Sequence, residues 1–150
     1  MKEYEKFMKK ALAQAEKARD IDEVPIGAVV VQNGKILSRA YNKRNSGKIA
    51  THHAEILAIE KACKKIGDWR LEDCQIYVTL EPCPMCAGAI ANARIKKLIF
   101  GAFDTAGTNK NLITDILKDT RLNHKVDIVG GVLEEECKEL LTTFFKAKRK

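Results

Sequence analysis

Two short stretches of the chain hold residue types that can do chemistry. Residues 51–56 read Thr-His-His-Ala-Glu-Ile, and residues 82–86 read Pro-Cys-Pro-Met-Cys. The chain has three histidines, so setting two of them side by side, with a carboxylate just past the second, concentrates a scarce resource. Cys83 and Cys86, at i and i+3, can aim both sulfurs at one point beyond a helix start. The positive end of the helix dipole favours the thiolate there. Thiolates placed in this way serve either disulfide exchange or metal binding. The exchange reading fits a strand, a Cys-x-x-Cys segment and a helix, but it leaves residues 51–56 without a task. It also expects an earlier βαβ unit, where this chain carries hairpin signals.

The metal reading uses both stretches. Zinc takes Cys and His ligands, and a catalytic site keeps three protein ligands with a fourth position for water. His53, Cys83 and Cys86 make that set. Glu55 can reach the water without ligating the ion, as a proton carrier must. Two thiolates neutralise the ion's charge, so a nearby base has to supply the activation that a three-histidine site would not need. A metal, its water and a proton carrier are what hydrolytic deamination of an amidine-like ring carbon requires, and His-x-Glu followed by Pro-Cys-x-x-Cys is the matching pattern. A structural zinc module would close the ion with a fourth protein ligand. The need for Glu at plus two selects His53 over His52, which reads as a packing or partly exposed residue.

Periodicity supplies the elements that must position these groups. Tyr4, Phe7, Met8, Ala11, Leu12, Ala15 and Ala18 recur at helical spacing, which predicts a helix over 2–18. Two β-rich runs, 25–32 and 35–41, flank Asn33-Gly34, a hairpin signal. A polar loop spans 42–50. A helix over 52–66 should bury Ile56, Ile59, Cys63 and Ile66. A strand over 75–80 leads through Pro82 into a helix opened by Pro84 at its first position. A strand at 97–102, a loop, a short helix at 112–118, a strand at 125–130 and a helix at 134–146 complete the chain. That last helix should bury Cys137, Leu140, Leu141 and Phe144. After the hairpin, strands and helices alternate, so an α/β sheet with helices on both faces follows, its last two strands parallel.

Composition bounds the rest. The 150 residues suit one domain spanning 1–150. No apolar stretch approaches the ~20 residues of a membrane span, and the N-terminus lacks a secretory h-region, so a cytoplasmic protein is expected. The five cysteines are odd in number and argue against a disulfide framework. Cys63, Cys74 and Cys137 read as small buried hydrophobes. A net charge of +7 and the terminal Lys146-Ala-Lys148-Arg149-Lys150 favour an acidic partner.

With these residues in view, the chain resembles the zinc-dependent cytidine/deoxycytidylate deaminase superfamily, and within it the bacterial tRNA-specific adenosine deaminases. The resemblance rests on His53-Ala-Glu55 and Thr79-Leu-Glu-Pro-Cys83-Pro-Met-Cys86-Ala-Gly-Ala-Ile. Val24-Pro-Ile-Gly-Ala-Val, Asp68-Trp-Arg-Leu, Phe100-Gly-Ala, Leu122-Asn-His and Leu140-Leu-Thr-Thr-Phe-Phe extend it over almost the whole chain. It implies a three-layer α/β/α cytidine-deaminase-like fold on a mixed five-stranded sheet. It also implies one zinc ion per subunit, a homodimer, and conversion of adenosine to inosine at the wobble position of a tRNA, usually an arginine tRNA. By the same resemblance Asn42 and the backbone of Ala54 would contact the flipped purine nucleoside. Asp104, Asn123, His124, Phe145 and Arg149 would contact the anticodon loop. The 104–112 segment departs from the family's usual Gly-Ser-bearing loop, and Thr51-His52 stands where Thr-Ala is usual. The runner-up is a deaminase of a free nucleobase or nucleotide such as guanine, cytidine or deoxycytidylate.

Overall fold

The computed structural model describes residues 2–104, 111–122 and 124–149. In chain order the elements are α1 (Lys2–Asp20), β1 (Gly27–Gln32), β2 (Lys35–Tyr41), α2 (Ala54–Ile66) and β3 (Cys74–Leu80). Next come α3 (Pro84–Asn92), β4 (Lys97–Ala102), α4 (Leu112–Leu117), a 3-10 turn (Thr120–Leu122), β5 (Asp127–Val129) and α5 (Glu134–Lys148). The hairpin forms where the sequence signals it. Asn33 and Gly34 take φ of 51° and 75°, the left-handed pair that a two-residue turn between twisted strands requires.

The sheet runs β2-β1-β3-β4-β5. β1 is antiparallel to β2 and β3, while β3, β4 and β5 are mutually parallel. The sheet is therefore mixed, with the expected parallel pair at its far edge. The central strands are apolar on both faces, as strands covered from both sides must be. Ala28, Val30, Ile76, Val78 and Leu98 face a core built with α2, α3 and α4. Val29, Val31, Tyr77 and Ile99 face a second core with Phe7 and Met8 of α1 and Cys137 of α5. At Gly101 a Cβ would meet the Thr79 carbonyl at 2.9 Å and the Cys137 side chain, so α5 sits directly on β4.

Two expected stripes differ. The buried face of α2 is Ala54, Glu55, Ala58, Ile59 and Ala62, with Ile56, Cys63 and Ile66 half-buried at its margins. The helix packs close to the sheet, and small residues permit that approach. In α5 only Cys137 is buried; Leu140, Leu141 and Phe144 are half-buried. All five cysteines are free thiols, and Cys74 and Cys137 are buried as expected, whereas Cys63 is half-buried.

Candidate metal centre

Two helix starts converge on one point. His53 is the N-cap of α2, with φ −70° and ψ 155°, and Cys83 is the N-cap of α3, with φ −74° and ψ 169°. Neither side chain caps its own helix, as expected of residue types that cap poorly. Pro84 occupies the first turn of α3, where a missing N–H costs nothing. Cys86, one turn in, is buried.

The ligand atoms of His53, Cys83 and Cys86 lie within 4.8 Å of one another. Both sulfurs stand 3.6 Å from His53 Nδ1. Zinc held tetrahedrally, with Zn–S about 2.3 Å and Zn–N about 2.05 Å, spaces its S and N ligands about 3.6 Å apart. The donor set therefore fits that ion in type and in spacing, and among the described residues it supplies three ligands, the number a catalytic zinc site takes from its protein.

The electrostatics are those of two adjoining thiols that share one proton. The Cys86 thiol hydrogen-bonds Cys83 and, with the backbone N–H of Cys86 and His53, holds the Cys83 thiol down to about 5. Cys86 is pushed far up, because it keeps the proton it shares with Cys83 and is buried beside Glu55. Glu55 is 4% exposed. Burial raises its carboxyl to about 7, opposed by its own backbone N–H, by the His53 charge and by a hydrogen bond from Cys86. Glu55 thus stands against the ligand set as an acid that is not itself one of the three ligands.

The rim of the site is a hydrogen-bonded loop. Asn42 is buried; its Nδ2 donates to the Val24 carbonyl at 3.3 Å and its Oδ1 accepts from Arg44 N–H at 3.2 Å. Ala54 is the first residue of α2, where a backbone N–H has no carbonyl partner within the helix. The carbonyl of His52 accepts from Lys43 N–H at 3.1 Å, and the His52 ring is half-buried beside Gly47. The sequence reading passed over Glu23, a fully buried carboxylate that accepts from Asn45 and Ser46. An acid among others just after a helix end carries no pattern that would have marked it.

Asp104, Phe145 and Arg149 line one groove of about 450 Å³ beside α5. Phe103, also unmarked by sequence, joins them. It is 47% exposed and is held edge-on against buried Phe100, with ring centroids 5.0 Å apart. Phe145 is 43% exposed, so its ring is not core. His124 stands elsewhere, with Nε2 2.7 Å from the Ile95 carbonyl. Asn123 and residues 105–110 of the atypical loop lie outside the described residues. In the basic tail, Lys148 is paired with Asp22, and among the described residues Lys146 and Arg149 line the groove.

A family model of MafB19-like deaminases matches residues 2–149. The tRNA-specific adenosine deaminase of Bacillus subtilis (strain 168) is 49% identical over 150 residues, covering 100% of this chain and 93% of that protein. Its namesake from Aquifex aeolicus (strain VF5) is 45% identical over 148 residues, covering 99% and 96% respectively. A solved structure from studies of A-to-I editing by deaminases at the wobble position of transfer RNA superposes with a TM-score of 0.82. It shares 41% identity and covers 90% of this chain and 98% of its own.

Proposed function

The chain belongs to the deaminase family of these relatives, and on that premise we propose that it hydrolyses adenosine to inosine at the wobble position of a tRNA, an arginine tRNA being the expected substrate. The observation that carries the reading is the three-ligand cluster at zinc spacing with buried Glu55 hydrogen-bonded to one of its ligands. His53, Cys83 and Cys86 hold the ion, one zinc per chain. When bound, zinc supplies a Lewis acid that positions and acidifies a water.

Glu55 does the proton work. It takes a proton from the attacking water and gives it to N1 of the adenine ring as the water oxygen adds at C6. It then carries the second proton to the amino group, which leaves as ammonia. Its burial, which strengthens its hold on a proton, suits a group that must keep one between steps. Asn42 and the Ala54 N–H position the nucleoside. Asp104, Phe145 and Arg149 hold the flanking nucleotides in their shared groove, with Asn123 and His124 as further anticodon contacts; the bases rest on aromatic faces and the phosphates on cations.

The active form in this reading is a cytoplasmic homodimer. A groove of about 570 Å³ of mixed lining, with Ile56, Met85, Ala89 and Leu122 beside Arg94 and Arg121, supports it by offering a face for a second copy. Among the described residues no helix is long and apolar enough to cross a membrane.

The test is turnover of an anticodon stem-loop bearing adenosine at the first anticodon position, compared with free guanine, cytidine and deoxycytidylate. Inosine in the RNA and no turnover of the free compounds is expected; the reverse would replace the RNA reading with the free-nucleobase one. Glu55→Ala should keep its zinc and lose more than about a hundredfold in rate, the usual scale of a positioned acid–base group. Retained activity would remove Glu55 from the chemistry.

A further inference from the structure

The loop at the rim is anchored by a buried acid that no step above uses. Glu23 is 1% exposed, and carboxylates are almost never buried so deeply without partners. Its partners are backbone donors: Asn45 N–H at 3.2 Å and Ser46 N–H at 2.5 Å, one to each carboxylate oxygen. The loop then closes on itself and on the metal side. Gly47 N–H donates to the Lys43 carbonyl at 2.8 Å, Arg44 N–H to Asn42 Oδ1 at 3.2 Å, and Lys43 N–H to the His52 carbonyl at 3.1 Å. His52 directly precedes His53. The residue after Glu23, Val24, accepts from Asn42 Nδ2. One short connector therefore holds Asn42 from one side and the loop beyond it from the other.

We propose that Glu23 is a positioning residue for the deamination: it holds residues 42–47 in the closed shape that presents Asn42 to the nucleoside. The proposal rests on reading the site as a nucleoside pocket. Without the carboxylate, two backbone donors lose their acceptors and the loop samples open shapes. Only the closed shape accepts substrate, so apparent affinity falls in proportion to the closed fraction. Turnover at saturation changes little, because bound substrate itself keeps the loop closed.

The experiment compares zinc-loaded wild type with Glu23→Ala and Glu23→Gln. Glutamine keeps one acceptor oxygen at the same reach and loses the other. Glu23→Ala should raise KM for the stem-loop about tenfold, equivalent to about 1.4 kcal/mol, with kcat within about twofold. Glu23→Gln should fall between the two. An unchanged KM with a lowered melting temperature would make Glu23 an ordinary fold residue and overturn the proposal, as would a fall in kcat at constant KM.

Amide exchange of Asn45 and Ser46, measured without substrate, provides a readout independent of activity. Protection in wild type that is lost in Glu23→Ala and only partly lost in Glu23→Gln supports the proposal; unprotected wild-type amides overturn it. If wild type fails on the stem-loop, the RNA reading falls, and exchange still decides whether Glu23 holds the loop.

Discussion

Alkaline pH should destabilise the chain through two buried thiols. Cys74 is 0% exposed and Cys137 is 1% exposed, and burial pushes their thiols up to about 11 and about 12. In the unfolded chain both titrate at about 8.5–9. Above that value the native state binds more protons than the unfolded state, so stability falls as pH rises, from about 9 through 11 and 12. At pH 10 each thiol contributes a difference of about one pH unit of titration, or about 1.4 kcal/mol. Together they cost about 3 kcal/mol, a large share of the roughly 5–15 kcal/mol that stabilises a typical domain. Urea unfolding with reductant and zinc present, at pH 8 and pH 10, measures the loss. A Cys74→Ala, Cys137→Ala double variant should start less stable but lose about 3 kcal/mol less over that interval. Equal losses in wild type and variant would refute the reasoning.

Three further outcomes follow from the geometry. Zinc binding requires both sulfurs as thiolates, and Cys86 keeps its proton in the metal-free site. Loading near pH 7 should therefore release about one proton from that thiol, and occupancy measured by metal analysis should fall as pH drops toward 5. Arg149→Ala should weaken stem-loop binding and lower the slope of log affinity against log salt by about one, whereas Lys148→Ala, whose cation pairs with Asp22, should change the slope less. Gly101→Ala places a methyl against the Thr79 carbonyl and Cys137 and should cost about 1–3 kcal/mol in a denaturant titration.

The His53, Cys83 and Cys86 cluster was legible because each residue is fixed by its local chain. His53 and Cys83 open helices whose starts are marked by the apolar runs that follow, and Pro84 signals the second start. The hairpin was legible for the same reason, since Asn33-Gly34 admits few other shapes. What could not be read depends on distance. The α2 stripe was expected along Ile56, Ile59, Cys63 and Ile66, of which only Ile59 is buried; how closely a helix approaches a sheet is set by the partner strand, and close approach selected the alanines. Phe145 follows Phe144 at the margin of the α5 stripe, where periodicity does not separate core from surface; its 43% exposure does. Glu23 meets donors more than twenty positions away, and nothing in its neighbours announces that.

Asp22 adopts a left-handed φ of 65°, a conformation that aspartate tolerates better than most residues. Its side chain is tied to Lys148 at the end of α5, while that of the next residue is tied to the 45–46 backbone. Two successive acids thus act as a yoke between the chain's C-terminal helix and the opposite lip of the metal cleft. A single inserted residue between 20 and 25 would slacken both tethers at once.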